Sequence, residues 1–386
     1  MKKIVTLLLI TPLIALIPAS VFAEGLTLSG EAKTGVFWRK VEDSTTPPDV
    51  QVKIHSENDD AGSAEGRFRL NMDYINGENT LGFKVRIQWQ DWTNEKQIPD
   101  TWPYAFGYGN FFDNQLTMSI GKLGGSPWGT GGPEMWKELE ATRSGGIRFE
   151  YKPGFISEEY GRLNVGFVLN GPEAYTDAGV TRDPTIVDFL QESVIGVSYI
   201  HDYFMVRFAY RLDSELDMRL RGSEGVEGDD IVYRVEERAI QKALPGFQIW
   251  ALGFIQGVGA SKADFVEHKN WLFVQYAPRS FTAQLRFGFE GSADRNVAFV
   301  KPNFYYKFFD GLIEAGGLFG YAQDFGNKIY VDSPYSYIEV VPKIQVNFAP
   351  GAYAAFEYYW KMEYAYRTPP PMRQTQWLNL RFGIYF

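Results

Sequence analysis

The sequence predicts an all-β fold, a transmembrane antiparallel up-and-down β-barrel of about 18 strands, with 16 as the alternative count. Three observations predict it. Apolar and polar residues alternate with a period of two along most of the chain. Short turns and longer loops take turns between those segments, as the two ends of a membrane barrel require. The 386 residues include 30 Phe, 23 Tyr, 10 Trp and 39 Gly, a composition that argues against a disordered chain or a helical bundle.

The chain opens on an address. Met1-Lys2-Lys3 is a basic head, Ile4 to Ile17 is almost wholly apolar, and Val21-Phe22-Ala23 ends on compact residues. Residues 1–23 therefore read as a secretory signal peptide cleaved after Ala23. The apolar core is short and carries Pro12, which argues against an uncleaved anchor. The remaining residues, 24–386, hold 36 basic against 47 acidic side chains, a charge near −11. Such acidity argues against nucleic acid as a partner. The chain has no Cys, which excludes disulfides, thiolate chemistry and Cys-ligated zinc or iron–sulfur clusters. Export without Cys suits a bacterial envelope protein. Beyond residue 23 no apolar run reaches the ~18 residues of a membrane helix.

The first clear hairpin lies at 67–90. Phe68, Leu70, Met72 and Tyr74 share one face, and Arg67, Arg69, Asn71 and Asp73 the other. Asn76-Gly77-Glu78-Asn79 makes the turn. Leu81, Phe83, Val85, Ile87 and Trp89 then oppose Lys84, Arg86, Gln88 and Gln90. The pattern returns at 162–169, 204–211 and 281–290. Short turns fall near 76–79, 111–114, 153–160, 201–203, 243–246, 278–280, 309–311 and 349–351. Longer loops fall near 39–63, 93–101, 123–142, 171–189, 213–229, 258–265, 291–295, 323–333 and 366–372. Eight turns and nine loops separate 18 strands, an even number with both chain ends on the turn side.

Alternation alone also fits a soluble sandwich. Three features favour the inverted arrangement, apolar face outward. The apolar stripes exceed what one sandwich core can use. The polar stripes repeat Arg and Lys. Aromatics stand at strand ends, at Trp38, Trp89, Trp92, Trp102, Tyr104, Tyr359 and Trp360, as interfacial girdles do.

The last strand carries Leu378, Leu380, Phe382, Ile384 and Phe386 on one unbroken apolar face. It resembles the C-terminal strand of bacterial outer-membrane proteins. In that family a terminal Phe is the signal read by the barrel-assembly machinery. A second likeness lies at Gln115 to Lys122, followed by a Gly-rich loop at 123–142. It is similar to a passage of the general porins, where the following loop folds into the pore. The resemblance covers the architecture of residues 24–386 and implies an outer membrane of the Gram-negative type, with its lipids around the barrel. It implies a porin that passes small hydrophilic solutes or ions by diffusion, with no reaction and no cofactor. A homotrimer follows from the resemblance and not from any residue pattern here.

If the apolar stripes face lipid, the basic residues face the lumen. They are Arg67, Arg69, Lys84, Arg86, Arg148, Arg162, Arg207, Arg211, Arg286 and Arg381. Glu134, Glu138 and Glu140 oppose them if loop 123–142 folds inward. Opposed charges set up a transverse field that favours dipolar solutes, and the basic wall favours anions. The same arginines could instead form ladders with Asp73, Glu150 and Glu290. Other functions fit the pattern too. A channel specific for sugars or organic anions would use lumenal aromatics such as Tyr353, Tyr359 or Trp377. A surface adhesin or scaffold would have a plugged lumen. Enzymes fit poorly, since only His55, His201 and His268 exist, and a pairing of His268 with Ser261 or Asp264 competes with the simpler reading of a solvated His. The acidic runs Glu57-Asn58-Asp59-Asp60 and Asp229-Asp230 lack EF-hand spacing and read as solvated loops.

Overall fold

A computed structural model describes residues 25–43, 46–54, 67–90, 101–123, 146–156, 158–170, 175–177, 180–182, 186, 190, 193–212, 229–258, 267–292, 295–325, 336–364 and 373–386. The expected signal peptide lies outside them. The wall begins with β1 (Leu26–Asp43), β2 (Thr46–Ile54), β3 (Arg67–Ile75), β4 (Leu81–Gln90), β5 (Thr101–Phe111), β6 (Leu116–Lys122), β7 (Gly146–Tyr151) and β8 (Arg162–Asn170). A small separate hairpin follows, β9 (Tyr175–Asp177) with β10 (Val180–Arg182). The wall resumes with β11 (Val194–Ile200), β12 (Phe204–Arg211), β13 (Asp229–Glu237), β14 (Phe247–Val258), β15 (Glu267–Tyr276) and β16 (Phe281–Ser292). It ends with β17 (Arg295–Phe308), β18 (Ile313–Asp324), β19 (Ser336–Ala349), β20 (Ala352–Tyr364) and β21 (Arg373–Tyr385). One short helix, α1 (Ala239–Ala243), sits in the turn between β13 and β14.

Nineteen of these strands form one antiparallel sheet, yet the wall has 18 staves. The reason is the register on β1. Leu26 to Lys33 pair with β3, while Val36 to Asp43 pair with β2. Strands β2 and β3 thus lie end to end along one edge of β1. The other edge of β1 pairs with β21 from Glu31 to Asp43 and closes the barrel. Phe386 donates its N–H to the Gly30 carbonyl at 3.0 Å and accepts from the Gly30 N–H at 2.7 Å. Among the described residues closure pairs every wall strand on both sides except β2, and a closed sheet is what hydrocarbon demands.

The turns follow their chemistry. Asn76 Oδ1 accepts from the N–H groups of Thr80 and Leu81 at 2.8 and 3.0 Å, and Asn79 takes a positive φ of 57°. This is a side-chain-locked hairpin turn. The expected loop at 39–63 is shorter than its residues suggested. β1 runs on to Asp43, and 46–54 form β2. Pro47 and Pro48 lack ladder donors, but β2 pairs only with β1 among the described residues, and an edge strand tolerates proline.

The two faces of the wall differ in the expected sense. Phe83, Phe149, Leu272, Phe287, Phe304, Phe319, Ile344 and Phe382 are exposed on one face. On the other face Trp271, Phe273, Phe299, Tyr359 and Trp377 are buried. In a closed barrel the covered face is the interior, so the exposed apolar belt points outward. Burying such a belt in water-facing form would be costly, whereas hydrocarbon accepts it. Two girdle assignments need correction. Tyr104 pairs with Arg86, and Tyr359 pairs with Trp377, both on the inner face. Alternation sets the face, and both residues fall on the inward parity of their strands.

Candidate pore lining

Residues opposite each other across an antiparallel ladder point the same way. The register therefore carries the inner face around the wall. On β3 and β4 it holds Arg69 opposite Gln88, Asn71 opposite Arg86 and Asp73 opposite Lys84. Arg69 Nη1 lies 3.1 Å from Glu31, which also holds Lys33 at 2.7 Å, and its Nε donates to Gln88. Arg86 Nε donates to Asn71 Oδ1 at 2.7 Å while its guanidinium stands 4.8 Å from the Tyr104 ring centre. Arg67 pairs opposite Gln90 on the same face; its side chain is outside the described set.

Further round, Arg148 lies 3.7 Å from Glu150 and over the Phe106 ring at 5.8 Å. Arg207 stands opposite Arg234, whose Nε is 2.5 Å from Glu236. Arg211 is buried opposite Val194, and Arg162 is exposed at the turn end of β8 opposite Ile200. Arg286 lies over Phe273 at 5.1 Å, and Arg381 Nη2 is 2.5 Å from Glu357. Nine of the ten basic positions singled out from the sequence thus share the inner face, and the tenth, Arg67, has its side chain outside the described set. They come from β3, β4, β7, β8, β12, β16 and β21.

Sequence reading missed much of the compensating charge. Glu31, Glu236, Glu314, Glu339, Glu357 and Glu363 lie on the inner face, with Lys33, Lys301, Lys343 and Lys361. Lys301 lies 2.9 Å from Glu339, and Lys361 is 2.6 Å from Glu363. The signal was present as inward parity along β17 to β20. It was blurred because Phe299, Tyr305, Tyr337, Tyr353 and Tyr359 occupy the same stripes, so those strands read as apolar on both faces.

These aromatics form an arc with the cations set between them. Trp250 stacks on Phe273 at 5.0 Å and 6°, and Trp271 meets Phe299 edge-on at 5.7 Å. Lys361 stands 4.5 Å from the Tyr337 ring centre, and Lys301 stands 5.3 Å from it. Tyr359 stacks on Trp377 at 4.8 Å and 9°. A stacking track for sugars needs open ring faces. Trp377 is only 1% exposed and Tyr359 7%, so both rings are covered. Tyr353 remains half-buried.

Gly121 adopts a φ of +128°, and a Cβ there would stand 2.4 Å from the Ala105 carbonyl oxygen. Only glycine fits that kink. It precedes Leu123, 1% exposed and packed in the inner apolar cluster with Val168, Val194 and Leu252. Leu123 is the one described residue of loop 123–142; Glu134, Glu138 and Glu140 lie outside the described residues. His268 stacks on Phe289 at 5.2 Å on the outer face, away from the lumen. His201 lies in a turn among Tyr199, Tyr203 and Phe204. Beside it, Lys242 Nζ reaches Asp202 at 2.5 Å and holds that carboxyl below its ordinary range.

Neither a protein-family model nor a curated protein sequence matches this chain. Its fold is similar to that of the anion-selective porin from Comamonas acidovorans, at 11% identity over 94% of this chain and 99% of that one, with a TM-score of 0.53. A loop-deletion mutant of OmpT, an outer membrane protein of Vibrio cholerae, aligns at 12% identity over 94% and 99%, with a TM-score of 0.45. A mutant Rhodopseudomonas blastica porin aligns at 12% over 93% and 100%, also at 0.45. What the chain shares with the Comamonas porin is the fold, a closed antiparallel barrel of the bacterial porin type.

Proposed function

We propose that this protein is an outer-membrane channel through which small hydrophilic solutes diffuse along a charged, wet lumen. One observation carries the reading: exposed Phe, Leu and Ile side chains outside a closed wall whose inner face holds the ion pairs. Lipid accepts the outer belt, and only water-borne solutes match the inner one. The basic inner positions Arg67, Arg69, Lys84, Arg86, Arg148, Arg162, Arg207, Arg211, Arg286 and Arg381 act as pore-lining groups. Loop 123–142 folds inward and sets Glu134, Glu138 and Glu140 against them. Residues 1–23 direct export and leave after Ala23, and residues 24–386 form the barrel. The apolar face ending in Phe386 is the signal for the assembly machinery. No step of bond making or breaking belongs to this reading.

Single-channel recording of the refolded protein in a planar bilayer tests it. Discrete steps that rise linearly with salt support open diffusion. Steps blocked by one solute at saturating concentration select a substrate-specific channel. A barrel that inserts yet never conducts selects the plugged adhesin or scaffold.

A further inference from the structure

Beside the turn joining β19 to β20 the inner wall opens into a cavity of about 470 Å³. Its volume falls in the range that takes small molecules. Lys33 from β1, Lys343 from β19 and Arg381 from β21 reach its surface, with Tyr353 and Tyr385 between them. Among the described residues no carboxylate side chain lines it.

The counter-charges are set back. Glu31 is shared with Arg69 at 3.1 Å, and its side chain is 10% exposed against 22% for Lys33. Glu357 is 12% exposed against 28% for Arg381. Glu314 approaches Lys343 only to 3.9 Å, too far for a hydrogen bond. Lys33 keeps Glu31 at 2.7 Å and Arg381 keeps Glu357 at 2.5 Å, so the cation left without a close carboxylate partner at the cavity is Lys343. The tyrosine rings stack at 5.9 Å, and the Lys33 ammonium lies 5.1 Å from the centre of Tyr385.

We infer that this cavity is a binding subsite for a small oxyanion, a carboxylate or a phosphate group, held by Lys343 and Arg381 with Lys33 at its edge. The carboxylates already present balance the wall as a whole but leave their cations facing the cavity. An arriving oxyanion completes the donors that the wall leaves open, and charge-assisted bonds are the strong ones. The inference rests on the channel reading for its role, which is a resting place for anions at the turn-side mouth.

The test is calorimetric titration of the folded full barrel in detergent, at constant ionic strength, with sodium phosphate and with sodium benzoate. Saturable binding of either anion is expected, and the one that binds identifies the chemistry. Lys343→Gln weakens it by about tenfold, the worth of one charge-assisted hydrogen bond. Lys343→Arg restores binding, which separates lost charge from lost folding. Lys152→Gln, an equal charge change on an exposed turn, leaves binding intact. The inference is overturned if neither anion saturates, or if Lys343→Gln binds as the wild type does. Because the measurement needs no current, binding without channel steps would overturn the channel reading alone. Steps without binding would overturn this subsite alone.

Discussion

Gly288 stands directly opposite Phe299 in the ladder between β16 and β17, and the ring occupies the space a side chain at Gly288 would need. A Cβ at Gly288 would lie 2.0 Å from the ring. The same pairing recurs at Gly82 with Tyr108, Gly253 with Tyr233 and Gly383 with Tyr353. A large ring laid over a bare backbone shields the ladder, and in the three inner-face pairs, Gly288, Gly82 and Gly383 with their rings, it keeps its bulk out of the interior.

Gly288→Ala therefore forces the Phe299 ring off its seat. A packed wall gives little, so the expected loss is about 1–3 kcal/mol in denaturant unfolding from lipid vesicles. Gly77 has nothing within 4 Å of its Cβ position. Gly77→Ala should change stability little, and a loss there equal to that at Gly288 would show the ring contact to be irrelevant.

The inversion of faces predicts an asymmetry between neighbours. Leu272 lies mid-strand on β15 and is 41% exposed on the outer belt. Leu272→Arg should cost about 2–4 kcal/mol in the same vesicle measurement, the toll of a cation near the bilayer midplane. Gln284→Arg on the inner stripe of β16 should be tolerated. Equal costs would mean that the outer face does not meet hydrocarbon.

The charges on the inner face make a prediction about ions. Arg69 and Arg86 are held in place by Glu31, Gln88 and Asn71. Changing Arg67, Arg69, Lys84 and Arg86 together to Gln removes four cations from adjacent strands. Reversal potential in a salt gradient should move toward cation preference. An unchanged potential would show that this part of the wall does not set the field.

How far the sequence disclosed all this depended on the strand. β3 and β4 alternate cleanly, so their faces and their turn at Asn76 could be read directly. β2 was hidden because Pro47 and Pro48 are poor ladder residues, and only its place at an edge makes them harmless. Glu339 and Glu357 were hidden for a different reason. Their stripes also carry Tyr337 and Tyr359, and a ring on the inner face erases the apolar–polar contrast on which alternation depends. The cavity at Lys343 was out of reach, because it joins residues from both ends of the chain.

The turns offer a titration. Lys242 lies 2.5 Å from Asp202 and lowers the carboxyl's pKa by a hydrogen bond and by charge. A carboxyl depressed in the folded state stabilises above its unfolded value, and that contribution fades as pH falls through the folded one. Carbon NMR of Asp202 should show a midpoint below the ordinary 3.8. Lys242→Ala should return it upward. Asp202 is fully exposed, so unfolding midpoints should hardly move.

Two roles for Phe386, packing at the seam and the proposed assembly signal, can be tested separately. The Phe386 backbone exchanges two hydrogen bonds with Gly30, and its ring fills the space beside Gly30, where a Cβ would come within 2.5 Å of it. The ring also lies 6.3 Å from that of Phe68. Phe386→Ala keeps the backbone bonds and removes the ring, so refolding into pure lipid should lose only about 1–3 kcal/mol, less than a core ring would cost because Phe386 is part-exposed. If the ring is in addition an assembly signal, the loss in cells should be far greater, measured as the fraction of folded barrel in the membrane. Conservative Phe386→Tyr should rescue both readings in part. A cellular defect no larger than the loss in pure lipid would reduce Phe386 to a packing residue at the seam of the barrel.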